Sequence, residues 1–72
     1  MEKYIVYTEI INRNGLERWY YGTYDHERAN EVTIDLGSSY DHEERESVAH
    51  CVCKACEAEA FGVLNLPASV FE

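Results

Sequence analysis

The amino-acid sequence predicts an α+β fold: a small three-stranded, largely antiparallel sheet with two helices, in the order ββαβα. Three observations carry this expectation. Residues 3–24 hold two β-branched and aromatic runs separated by an Asn-Gly pair. Residues 25–37 are framed by helix-cap residues, and residues 47–53 alternate as a strand does before an Ala- and Glu-rich stretch. Seventy-two residues make a single domain, 1–72, because a second core cannot be built from what is left over. A chain this short buries only about 60% of its unfolded surface, so its stability margin is thin.

The first strand is residues 3–11, KYIVYTEII, followed by the turn NRNG at 12–15, where Asn14 and Gly15 tolerate positive φ. Residues 16–24 return as the second strand. A loop over 12–15 sets Ile11 opposite Leu16 and Glu9 opposite Arg18, a cross-strand ion pair that a slipped register would lose. Strict alternation puts Tyr4, Val6, Thr8 and Ile10 on one face with Trp19, Tyr21 and Thr23. Its central positions carry no charge, so it is the expected core, with Trp19 inside. The other face gathers Ile5, Tyr7, Glu9 and Ile11 with Arg18, Tyr20, Gly22 and Tyr24.

Asp25 suits an N-cap, Glu27 the first turn and Gly37 a left-handed exit, with Ala29, Val32, Thr33 and Leu36 on one stripe; a helix over 26–36 follows. Residues 38–46, SSYDHEERE, read as a polar connecting loop. Residues 47–53 are the third strand, set beside the first and antiparallel to it. Residues 55–61 are strong helix formers with Gly62 at the exit, and 63–72 form an extended tail apolar enough to lie on the body. One helix over 42–61 is the rival, since Val48, Val52, Ala55 and Ala58 also match a helical stripe.

Charge narrows the function classes. Fourteen acidic residues against six basic ones give −8, which repels nucleic-acid phosphate and anionic lipid. The expected partner is therefore a protein, another species or a second copy in a homodimer, with no direct nucleic acid and no membrane. No basic region followed by an apolar run opens the sequence, no stretch nears the roughly 20 apolar residues of a membrane span, and the cysteines are odd in number. Together these predict a cytoplasmic protein with free thiols.

Residues 50–56, HCVCKAC, concentrate all three cysteines. On a strand, Ala49, Cys51 and Cys53 share a face, and small side chains there serve as core that lets another element approach closely. This is the reading adopted, with structural thiols and no cofactor. A zinc site using Cys51, Cys53 and Cys56 with His42, or with His26, is the alternative, though no second C-x-x-C or H-x-x-H completes the usual pairs. Cys53 and Cys56 also form a C-x-x-C, but no βαβ frame surrounds it. His50 points to the opposite face. No pair of carboxylates is set among apolar neighbours, no phosphate loop is present, and the Ser, Asp and His of residues 38–42 are loop composition. An enzyme is not expected.

The remaining candidate is aromatic. Tyr7, Tyr20 and Tyr24 with Arg18, flanked by Ile5 and Ile11, are either covered by the second helix or tail or form a binding face. The sequence thus predicts a protein-interaction or regulatory module binding through this sheet face. A zinc-binding protein is the first alternative and an acidic mimic of nucleic acid a further one. Residues 19–24 running into Asp25 and Ala29 resemble the strand-to-helix passage of the small DNA-binding arms of phage integrases. Those domains are basic, this chain is acidic, and no role is carried over.

Overall fold

The architecture starts from a hairpin. β1 (Tyr4–Asn12) and β2 (Gly15–Tyr24) pair antiparallel with Ile11 opposite Leu16 and Glu9 opposite Arg18. Asn12 Oδ1 accepts the Asn14 N–H at 2.9 Å, and Gly15 takes a φ of 128° that a side chain would disfavour. The computed structural model describes residues 2–71. It corrects the expected fold class: one four-stranded antiparallel sheet, spatial order β2-β1-β4-β3, carries a single helix, so the chain runs ββαββ and not ββαβα.

Two differences produce the correction. Residues expected as a loop contain β3 (Ser38–Asp41), which forms a hairpin with β4 (Glu46–Lys54). All four β3 residues are exposed, so this edge strand rests on pairing to β4 and shows no buried alternation. Its turn is held by Asp41 Oδ1, which accepts the N–H groups of Glu43 and Glu44, and Arg45 takes a φ of 54°. The helix expected over 55–61 is instead a 3-10 turn at Ala55–Glu57 followed by further turns. Its hydrogen bonds mix i+3, i+4 and i+5 spacings, from Ala58 N to Ala55 O, Phe61 N to Glu57 O and Val63 N to Ala58 O. Gly62, at φ 69°, ends it with the paired bonds of a Schellman cap. Five good helix formers in seven residues between a strand end and that cap cannot offset helix nucleation, and burial of Ala55 and Ala58 sets their shape instead.

α1 (His26–Leu36) carries the cap chemistry that places it: Asp25 Oδ1 accepts the Arg28 N–H at 2.8 Å, and the Gly37 N–H donates to the Thr33 carbonyl. The helix crosses one face of the sheet and buries Ala29 and Val32 against Val6, with Tyr4, Tyr24, Leu36 and Val52 around them. The tail crosses the other face. There Ile5, Tyr7 and Cys53 pack under Ala55, Ala58, Val63 and Val70, with Tyr20, Cys51 and Leu66 alongside. The tail is not simply extended: Leu64 bridges β2 in parallel at Trp19, and Ala68–Phe71 closes in a 3-10 turn. Met1 and Glu72, the latter the end of the expected tail, lie outside the described residues.

The sheet therefore has a core on each side, but only at one end. Helix and tail both cover the end holding Tyr4 to Tyr7, and the strands continue past them to the two hairpin turns. The molecule measures 42 × 23 × 14 Å, with a radius of gyration of 12.6 Å. A chain of this length is expected near 11 Å, and the projecting strand ends account for the excess.

Candidate functional site

A β-bulge decides which side chains share a face. Val6 pairs with Gly22, but Tyr7 pairs with Tyr20, which leaves Tyr21 as an extra residue on β2. Beyond the bulge the alternation of β2 is inverted, so Thr23 moves to the tail side and Tyr24 to the helix side. The expected set of Tyr7, Arg18, Tyr20 and Tyr24 is split accordingly. Tyr7 is 7% exposed beneath the tail, stacked on Phe61 at 6.3 Å, and Tyr20 is half-buried with its hydroxyl 2.7 Å from Thr23 Oγ1. Arg18 Nε donates to Glu9 at 2.9 Å and Nη1 to the Phe61 carbonyl at 2.8 Å, clamping the tail to the hairpin. Tyr24 folds over Gly22 beside α1, so close that a Cβ there would meet its hydroxyl and ring at 2.7–2.9 Å. These four residues do not form one open surface.

The cysteines differ in exposure. Cys53 is buried, Cys51 is half-buried on the same face, and Cys56 is exposed. Burial pushes the Cys53 thiol up to about 11, with Glu57, Cys51 and Cys56 adding to the shift. Burial likewise pushes Tyr7 to about 12, helped by Cys51. His42 sits in the β3–β4 turn with its ring 4.7 Å from Tyr40, at the other end of β4 from Cys53. His26 lies tilted against Tyr4, ring centroids 4.8 Å apart, at the start of α1. His42 thus lies away from the cysteines, and among the described residues no group of three or more His, Cys, Asp or Glu could hold a metal ion.

What the fold leaves open is the other half of the helix-side face. The register lines up two rows across the strands. Leu64, Trp19, Thr8 and His50 form the first, and Glu17, Ile10, Val48 and Ser39 the second. Thr8 Oγ1 lies 3.1 Å from His50 Nδ1, and the Tyr21 ring meets His50 edge-on at 6.4 Å, so the bulge residue joins this face. The Trp19 indole N–H donates to Glu17 at 3.2 Å, which orients the ring. Trp19, expected inside, is 39% exposed, with Tyr21 at 49% and Leu64 at 46%. The core assignment fails at Trp19 because α1 is only 11 residues long and crosses nearer Tyr4 and Val6.

Comparison with protein-family models, curated proteins and solved structures returns no match to this chain, so the site is argued from its own residues. Among the described residues, no helix is long and apolar enough to cross a membrane.

Sequence reasoning missed this face for an identifiable reason. Leu64 joins it only through tail pairing. Trp19 and Tyr21, placed on this face by alternation, are expected to be covered as core, while the bulge shifts only the residues beyond Tyr21. Gly22, an isolated glycine inside a strand pattern, was the available signal for that bulge.

Proposed function

We propose that the chain is a non-enzymatic, cytoplasmic protein-binding module that engages its partner through the bare half of its helix-side sheet face. One observation carries this. Trp19, Tyr21 and Leu64 are together exposed around half-buried Ile10, Val48 and His50, on a rigid sheet and beside a helix that leaves them uncovered. Tryptophan and tyrosine supply large, stiff contact area, and an exposed cluster of them forgoes about 25 cal/mol for each Å² left wet. Three free thiols suit a reducing compartment.

Photo-crosslinking tests the reading. A photoreactive phenylalanine analogue in place of Tyr21 should give a discrete adduct in cells, and the same analogue in place of Ile34, which is 78% exposed on α1, should not. Equal or absent crosslinking at the two positions would remove this face from consideration.

A further inference from the structure

Resting on that face as the binding surface, we propose that its occupant is an amphipathic helix of a partner protein. It carries Arg or Lys along the edges of an apolar stripe and lies beside α1. Shape argues first. The strands of the hairpin run about 30 Å; α1, about 16 Å long and set obliquely between Tyr24 and Ser38, covers roughly half of that, and the bare remainder is about 15 Å along the strands and about 20 Å across them. That is room for one helix in the layer α1 has begun, the usual way a sheet face is closed. The face spans on the order of 300 Å², the footprint of a single helix and less than the roughly 800 Å² per partner of a standard interface between two folded domains. A second copy docked face to face is disfavoured by its charge of −8.

Charge argues second. In this half of the face the strand positions carry Glu17, Asp41 and Glu46 and no Lys or Arg. Arg13 sits in the hairpin turn, donating to the Glu43 carbonyl at 3.2 Å, and Arg45 lies in the β3–β4 turn. Glu17 is held against the exposed Trp19 indole, so a guanidinium stacked on that ring meets a carboxylate at its edge. On the opposite flank Asp41, Glu43 and Glu46 line a depression that Val48 and Ser39 share, suited to a second cationic side chain. Apolar centre and acidic flanks complement a basic amphipathic helix and repel an acidic one.

The test uses the purified chain and three synthetic helical peptides: a Leu/Ala stripe edged with Arg, the same stripe edged with Glu, and the Arg peptide with its stripe scrambled. Amide and indole NMR shifts locate binding, and tryptophan fluorescence measures it. The Arg-edged peptide should shift Thr8, Trp19 and His50, and should bind at least about tenfold more tightly than either control. Added salt or the double variant Glu17→Gln, Glu46→Gln should weaken it several-fold with the fold's spectrum unchanged. Equal binding of the Glu-edged or scrambled peptide, shifts elsewhere, or no binding would overturn the helix proposal. The Tyr21 crosslink separates this failure from failure of the face itself. An adduct mapping to a basic helix supports the proposal, whereas an adduct with a loop, a strand or a second copy overturns the occupant and leaves the face standing. No adduct removes the face.

Discussion

The two ends of one sheet behave differently. At the end holding Ile5 and Val6 both residues are 0% exposed, one beneath the tail and the other beneath α1. At the hairpin end Ile11, Leu16 and Trp19, also large and apolar, remain 39–48% exposed on β1 and its partner β2. Hydrophobicity makes a side chain worth burying, but a second layer must reach it. With 11 residues of helix and a turn-rich tail, this chain has cover for about one end.

The largest effect that tests this contrast is core truncation. Ile5→Ala should destabilise by about 2–5 kcal/mol through lost burial and a closed cavity, enough to unfold much of a domain this small. Trp19→Ala removes a larger side chain yet should cost only about 1–2 kcal/mol, because water already reaches the site. Denaturant melts giving the reverse order would place Trp19 inside.

Alkali should act on the covered end. Cys53 and Tyr7 have folded-state values raised above their ordinary 9.0 and 10.0, to about 11 and about 12, so the fold favours their neutral forms. That stability is complete below about pH 9 and is lost as pH rises through the 9–11 window for Cys53 and 10–12 for Tyr7. Urea melts across this range should show the decline, and Cys53→Ala should flatten its lower part. A decline unchanged by that substitution would detach Cys53 from it.

Thiol chemistry gives a smaller, graded readout. Cys56 should be alkylated first at neutral pH, Cys51 more slowly, and Cys53 only on unfolding. Mass spectrometry of the labelled chain resolves the order, and early labelling of Cys53 would show that the tail does not hold it closed.

Much of this contrast is legible in the sequence, and the exceptions share a cause. The hairpin register follows from the pairing of Glu9 with Arg18, α1 from Asp25 and Gly37, and the small-residue face of β4 from Ala49, Cys51 and Cys53. Each depends on neighbours in the chain or directly across a turn. The strand in residues 38–41 and the non-helical form of 55–61 depend on what a distant segment offers them: β4 pairs with the first, and the buried surface over Ile5 shapes the second. The binding face is the extreme case. Its Trp19 and Tyr21 are visible as aromatic residues, but their exposure depends on where α1 stops.

Trp19 is the chain's only tryptophan, so fluorescence reports on the bare end without interference. In the folded, partner-free protein its emission should lie close to that of the unfolded chain and be quenched by acrylamide nearly as readily. A blue-shifted emission that acrylamide barely quenches would mean that the helix-side face is closed at Trp19, and the division between covered and bare ends would not stand.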